Sequence, residues 1–369
     1  LLPAFDERGL WSLAFHPEFM TNRRFFVTYS GKRRAGSPFT GNTAYTWRLS
    51  EFRVSSDDSN RADANSERVI LELDWVNRKH NGGGLSFGPD GMLYVGNGDG
   101  GGVHGVPDVY IPPKLDGKDL KKAEEIKEDP YRLPVQFHKY DRYAQDLTRL
   151  QGKILRLDVA ETATAYRVPA TNPFRGDPRR RQEIYAWGFR NPFRIAFDRL
   201  GSGDFLVNGV AETLWETVYL VDRSGNYGWA LREGTHCFDR LRAFDPPKHC
   251  ATHGALGEPI RNPIVEYANW SVKRPWSRVE REPQGSANVG GFIYRGTQFP
   301  EWRGKLVFGD FSSRFDKPSG QVFVATPPAS WGQLWSFERV LEVDHRLHSL
   351  GEDGDGELYL MTTEKGVPI

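Results

Sequence analysis

Five stretches of this chain repeat one short pattern, and the repetition limits the folds open to it. Each begins as an apolar strand, breaks at a turn of Pro, Asp or Gly, and resumes as an alternating strand. They are LAFHPEFMTNRRFFVTY from Leu13, LSFGPDGMLYVG from Leu85, IAFDRLGSGDFLVNG from Ile195, GGFIYRGTQFPEWRGKLVFGDF from Gly290 and SLGEDGDGELYLMT from Ser349. The turn residues tolerate positive φ, and flanks such as Met92-Leu93-Tyr94-Val95 favour strand, so each stretch reads as a β-hairpin. The hairpins recur at irregular intervals, with connecting segments of very different length. Variable loops on a repeated four-strand unit are the pattern of a β-propeller, whereas a β-sandwich spaces its strands more closely and evenly.

The expected fold is all-β, a single propeller domain over residues 1–369. Five units are visible and the chain starts inside one of them. Six blades fit if the remaining strands carry no such mark or if the first strands lie upstream. Residues 103–145 form a long loop insertion. Within it KLDGKDLKKAEEIKEDPYRLP, from Lys114, is charged all round, has Asp119 as a cap and Pro130 as a stop, and reads as a short exposed helix.

Composition sets the class. Hydrophobic residues make up 38% and charged residues 26%, enough apolar mass for a globular core. A net charge of +1 gives no reason to expect a nucleic-acid partner, and Arg179-Arg180-Arg181 reads as a solvated loop. No run approaches the roughly 20 apolar residues that span a bilayer. The opening LLPAFDERGL lacks the basic and small-residue marks of a signal peptide, so either a targeting segment has been removed or export takes another route. The two cysteines, Cys237 and Cys250, flank a turn-rich loop. As a disulfide they would add about 3 kcal/mol by closing it, and they would place the protein in an oxidising compartment, periplasmic or extracellular.

Several motifs have ordinary explanations. Gly84-Leu85-Ser86-Phe87-Gly88 has the spacing of a nucleophile elbow, but a turn and a strand follow it where a helix is required. Gly96–Gly102 lacks the Lys-Ser/Thr ending of a phosphate loop. Glu352–Glu357 fails the spacing of a calcium-binding EF-hand and reads as a hairpin turn. Asn269-Trp270-Ser271 is a formal glycosylation sequon. No Cys/His spacing suits zinc.

His80 stands out. A lone histidine is ordinarily structural, but this one precedes three glycines, Gly82–Gly84, whose lack of side chains lets backbone approach a ligand. A second cluster, Trp187-Gly188-Phe189-Arg190-Asn191-Pro192-Phe193-Arg194, sets a cation and an amide beside a stiffened turn. A base and a fixed cation at two such turns could line one end of a propeller channel. Glu212, Glu216, Asp222 and the turn Gly225-Asn226-Tyr227-Gly228-Trp229 add oxygen ligands and an aromatic platform, which would suit calcium among the metals.

The stretches ERGLWSLAFHPEF, KHNGGGLSFGPDGMLYVGNGDGG, AQDLTRLQGKILRLDV, EIYAWGFRNPFRIAFD, SGNYGWALREGTHCF, GGFIYRG and FGDF resemble the soluble quinoprotein glucose, aldose-sugar and sorbosone dehydrogenases. They run in that family's order over nearly the whole chain. The resemblance implies a six-bladed propeller that binds pyrroloquinoline quinone (PQQ) and Ca2+. It implies that His80 is the general base and Arg190 the substrate- and quinone-facing cation, with Asn191 as the adjacent quinone contact. Arg295, Asp310 and Arg314 would be further cofactor contacts. The carbonyls of Gly209 and Val210 would lie near the quinone-bound calcium, and Glu216 and Tyr227 would ligate a second, structural calcium. Three departures are visible. Glu7 stands where several relatives carry glutamine and puts a carboxylate near the cofactor. VNGVAETLWE departs from the common Asp-Val-Gly-Gln pattern. The family's usual first strands before ERGL are missing.

The implied reaction is oxidation of an aldose hemiacetal hydroxyl. Neutral His80 would take the proton while hydride leaves the same carbon for the quinone, and a cytochrome or a soluble carrier would then accept the electrons. A histidine suits a base working near neutral pH. The alternative is a non-catalytic propeller that binds a protein or glycan through its loops. A calcium-dependent lactone or ester hydrolase is a third reading, opposed by the lack of an acidic metal cluster.

Overall fold

The computed structural model describes residues 6–39, 44–75, 77–101, 141–160, 164–239, 243–275, 277–330 and 332–363. The chain builds antiparallel four-stranded sheets in sequence order. The first contains β1 (Leu10–Phe15), β2 (Arg24–Gly31), β3 (Tyr45–Val54) and β4 (Ala62–Trp75). The second contains β5 (Leu85–Phe87), β6 (Leu93–Asn97), β7 (Lys153–Leu157) and β8 (Ile184–Trp187). In the third, β9 (Pro192–Phe197), β10 (Phe205–Gly209) and β11 (Trp215–Leu220) are completed by β14 (Val265–Ala268). A small ribbon of β12 (Arg232–Glu233) and β13 (His236–Cys237) branches off before β14. The fourth contains β15 (Asn288–Ile293), β16 (Leu306–Asp310), β17 (Gly320–Thr326) and β18 (Ser336–Val343), and β19 (Arg346–Glu352) pairs with β20 (Leu358–Thr363) in a two-stranded unit.

The five sequence hairpins are the first two strands of these five units. Each inner strand packs beside the next, β1 on β5, β5 on β9, β9 on β15 and β15 on β19. Alternation along a strand sends successive side chains to opposite faces. Phe205 and Val207 therefore join a core with Tyr94 and Ile154 of the preceding unit, while Leu206 joins one with Phe308 and Phe323 of the following unit. The core lies between consecutive sheets, and the inner strands of the middle units are packed on both faces, whereas the outer strand β18 is exposed. At the two ends of the array the faces are open: Leu10 and Phe15 of β1 are 68% and 56% exposed, Tyr359 and Met361 of β20 are 60% and 52% exposed.

Ser86 sits inside β5 and runs into a turn and β6, which rules out the nucleophile elbow. Asp353 accepts the N–H groups of Asp355 and Glu357, closing the β19–β20 hairpin as expected. The sequon residue Asn269 is 5% exposed, and its amide nitrogen bonds Glu216 and the Ser286 carbonyl. Arg179 and Arg180 share Asp177 and Arg181 pairs with Glu183, consistent with a solvated loop. Most of the 103–145 insertion, including the helix from Lys114, lies outside the described residues; its end forms a 3-10 turn, Asp141–Ala144. Cys237 and Cys250 are joined by a disulfide. Among the described residues no helix is long and apolar enough to cross a membrane.

Candidate active site

His80 lies between β4 and β5 with its backbone in the left-handed region, φ 56°. A non-glycine residue there is uncommon, although histidine is among those enriched. Two contacts hold it. The His80 N–H donates to Glu7 Oε2 at 2.8 Å, and the His80 carbonyl presses on Gly98, where any Cβ would overlap it. The glycines that follow His80 do not clear a path to the ring. Gly82 packs on backbone of Gly96–Gly98, Gly83 on Trp11, and Gly84 on backbone of Phe193–Ile195. Their missing side chains let segments of three units pass close together, and His80 ends 7% exposed.

The two ring nitrogens have different partners. Nδ1 meets Asp99 Oδ1 at 2.9 Å, and Nε2 meets Arg190 Nη2. A carboxylate only accepts and a guanidinium only donates. The neutral ring therefore carries its proton on Nδ1 and turns the Nε2 lone pair towards Arg190. Asp99 is 1% exposed and also accepts the Gly101 N–H at 2.9 Å and the Trp229 indole N–H at 2.7 Å. Tautomer and ring angle are thus set by an acceptor that is itself fixed from three directions.

Arg190 leads into β9. Its Nε donates to Glu212 Oε2 at 2.6 Å and its Nη1 to the Val210 carbonyl at 2.9 Å. Burial works against this guanidinium's charge, but Glu212 and Asp99 outweigh it and hold its pKa above the usual value. Glu233 shapes the loop that presents Glu212, accepting the N–H groups of Glu212, Thr213 and Leu214 at 2.6, 2.8 and 3.0 Å. Burial raises the Glu233 pKa, and the Thr213 and Leu214 N–H groups and Arg190 oppose that rise. The result is a continuous chain, Asp99–His80–Arg190–Glu212, crossing from β6 to the end of β10. A cavity of about 30 Å³ beside Arg190, lined by Asn191, Ala211 and Trp215 among others, has room for roughly one water.

The other sequence candidates separate into three groups. Asn191 stays with His80, its Oδ1 accepting the Gly82 N–H at 2.8 Å. Gly209 and Val210 reach the site by backbone, but the Val210 carbonyl is already taken by Arg190. Glu216 and Tyr227 share no partner. Glu216 accepts from Asn288 N–H and Asn269 Nδ2 at 3.0 and 2.8 Å, whereas the Tyr227 hydroxyl accepts the Asp222 N–H at 2.8 Å and its ring stacks on Phe189. Asp310 is fully buried and accepts from Tyr267, Ser286, Ala287 and Ser312. Burial, then Asp310, pushes the Glu216 pKa up to about 8, and burial pushes Asp310 up to about 7. Arg295 lies beyond the far end of β9, where Asp198 Oδ1 takes its Nε at 2.8 Å. Arg314 pairs with Asp316 on an exposed loop. Neither arginine is brought to His80. Among the described residues no three acid, His or Cys side chains converge as a metal set.

Asp99 and Glu233 carry no sequence signal of their own. Asp99 reads as part of a glycine turn, and it meets His80 only because β6 folds back past the 80–84 segment. Glu212 and Trp229 are visible as an oxygen donor and an aromatic platform, not as the holders of Arg190 and Asp99.

The family model for glucose/sorbosone dehydrogenases matches residues 4–110 and 136–254, which include every member of this network. The chain belongs to that family. Among its relatives, the Hedgehog-interacting protein of Mus musculus is 27% identical over 98% of this chain and 42% of its own length. The HIPL1 protein of Arabidopsis thaliana is 27% identical over 83% of this chain and 43% of its own length. The chain thus spans less than half of either. The aldose sugar dehydrogenase of Escherichia coli is 24% identical over 98% of this chain and 76% of its own length. Among solved structures, a glucose dehydrogenase superposes with a TM-score of 0.63 at 22% identity, covering 98% of this chain and 81% of that one. A PQQ-bound aldose sugar dehydrogenase from Streptomyces coelicolor gives 0.59 at 16% identity, covering 97% and 75%. These likenesses bear on the fold, and the neighbours are quinoprotein sugar dehydrogenases and their relatives.

Proposed function

We propose that this chain oxidises an aldose at its hemiacetal hydroxyl, with His80 as the base. The observation that carries the reading is the Asp99–His80–Arg190 arrangement, a buried imidazole with its proton held on Nδ1 and its lone pair on the side of a fixed cation. Pyrroloquinoline quinone, when bound, would supply the hydride acceptor. Arg190 and the adjoining Asn191 would meet the anionic quinone once the guanidinium turns from His80, because in this arrangement Glu212, the Val210 carbonyl and His80 engage it and the cavity beside it has room for roughly one water. A calcium at Gly209 and Val210 fits less well: the Val210 carbonyl is engaged by Arg190, so no step is derived through a metal.

The remaining chemistry belongs to the chain. Arg190 must turn off Nε2 before that nitrogen can receive the hydroxyl proton, and Glu212 and the Val210 carbonyl keep the guanidinium beside the site as it moves. The new imidazolium keeps its Nδ1–H on Asp99, so the charge it gains is balanced by a carboxylate 2.9 Å from Nδ1. Glu212, 3.9 Å from Nε2, offsets the repulsion from Arg190; at an effective dielectric of 20 such a pair is worth about 4 kcal/mol.

The array is read as part of a six-bladed propeller, which is supported by the open apolar faces of β1 and β20, where further strands would pack. A periplasmic or extracellular location is supported by the disulfide. A non-catalytic binding role is the second reading. It is favoured by the closed Arg190–Glu212 pair and by similarity to a protein named for its Hedgehog partner. Titrating the protein with PQQ, then adding aldoses and an artificial electron-accepting dye, separates the two. Saturable quinone binding and sugar-dependent dye reduction that His80→Ala lowers by about 10²–10⁴-fold are expected for the enzyme. Absence of quinone binding at any calcium concentration favours the second reading.

A further inference from the structure

Lys153, the first residue of β7, is fully buried. A lysine is almost never so unless it is partnered. The partners here are main-chain carbonyls: Nζ donates to Tyr143, to Ala144 at 3.0 Å and to Gln151 at 2.7 Å. An ammonium has three donors and no acceptor, so the three carbonyls take every one. Burial draws the Lys153 pKa down to about 7, while Asp146 and Asp99 oppose that fall. The carbonyls act with the aspartates, because only the charged form can meet all three.

The turn gathered in this way, residues 143–152, supports three segments of the candidate site. The Gly152 N–H donates to the Gly98 carbonyl at 2.8 Å, and the Gly152 carbonyl accepts the Phe189 N–H at 3.2 Å. Gly98 precedes Asp99, and Phe189 precedes Arg190. The Ala144 carbonyl accepts the Gly188 N–H at 3.0 Å as well as Lys153. Gln145 Nε2 donates to the carbonyl of Trp229 at 2.7 Å, and the Trp229 indole holds Asp99. The two ends of the turn nearly touch: Gly152 has φ 68°, and a Cβ there would lie 2.6 Å from Ala144 Cα. Lys153 sets that approach, since its Nζ bridges residues 143 and 144 at one end and Gln151 at the other.

We propose that Lys153 is a positioning residue for the Asp99–His80–Arg190 network, its ammonium closing the 143–152 turn as a bound cation would. Its hydrogen bonds go to the turn and not to the network. The turn in turn fixes the separation of the Asp99 and Arg190 segments on the two sides of the His80 ring. The effect on turnover rests on the reading of His80 as the base; the effect on the network's geometry does not.

The test is solvent exchange of two side-chain protons, His80 Nδ1–H and the Trp229 indole N–H, followed by NMR at pH 6 in the full chain without cofactor. Lys153→Gln and Lys153→Met are compared with wild type well below their melting temperatures. Both variants should exchange these protons roughly tenfold faster or more, while backbone amides of β16 and β17 keep their rates. In PQQ-loaded protein, kcat for aldose oxidation should fall roughly 10- to 100-fold with KM within threefold. If neither variant folds, the wild-type lysine decides alone: its Nζ should be an ammonium whose protons exchange roughly tenfold more slowly than those of exposed lysines. Faster exchange in the variants of a protein that oxidises no aldose would sink the catalytic reading and leave the positioning role standing. Wild-type exchange at both protons in folded variants overturns the proposal. So does acceleration shared equally by β16 and β17, or an uncharged Lys153 amine at pH 6.

Discussion

Replacing Asp99 by Asn tests the proposed base directly, because it changes a charge while keeping the shape. Asp99 accepts three N–H groups, from His80, Gly101 and Trp229. An asparagine amide can place its oxygen on the His80 and Gly101 side and lose only the Trp229 bond, so the ring keeps its Nδ1 proton. The imidazolium formed in the reaction then loses its carboxylate. At the 2.9 Å separation of the His80–Asp99 pair, that interaction is worth about 1.4 kcal/mol in water and about 6 kcal/mol at an effective dielectric of 20. With about 1.4 kcal/mol per decade of rate, turnover should fall by roughly 10- to 10⁴-fold. The assay is single-turnover aldose oxidation by PQQ-loaded protein, with quinone affinity measured separately and expected to stay within threefold. Nitrogen-15 shifts of the His80 ring in wild type should place the proton on Nδ1. Turnover within threefold of wild type, or a proton on Nε2, would refute the reasoning.

Three further outcomes follow from the same contacts. Glu7→Ala should cost about 1–3 kcal/mol, because it leaves the buried His80 N–H unmet; Glu7→Gln, which keeps an acceptor oxygen, should cost much less in chemical denaturation. Glu216 and Asp310 have folded pKa values raised to about 8 and about 7. The folded state therefore holds their protons more tightly than the unfolded chain, and their contribution is full below about pH 4 and is lost as pH rises through 7 to 8. Melting curves from pH 5 to 9 should show Glu216→Gln flattening that decline. Peptide mass spectrometry without reduction should recover Cys237 joined to Cys250, and Cys237→Ser with Cys250→Ser should lower stability by about 2–4 kcal/mol. That loss should also loosen Phe238, which packs 4.5 Å from the Trp229 ring that holds Asp99, and the change is readable in indole fluorescence.

The sequence by itself determined the inner half of the architecture. Turn residues and strand propensity act within a few positions, so the five hairpins β1–β2, β5–β6, β9–β10, β15–β16 and β19–β20 could be read locally. The same locality marked His80 and Arg190, each beside a Gly or Pro turn. The outer strands β3, β4, β7, β8, β11, β14, β17 and β18 were not legible, because loops of variable length join them and no repeated turn marks them. The tertiary structure alone decided what surrounds His80. Residues 19 and 110 positions away, Asp99 and Arg190, meet opposite sides of one ring. No local signal encodes such a meeting, since it arises from the stacking of separate sheets. Packing also reversed the meaning of the glycines after His80: their small size admits neighbouring backbone to the space that sequence reasoning had left open for a ligand.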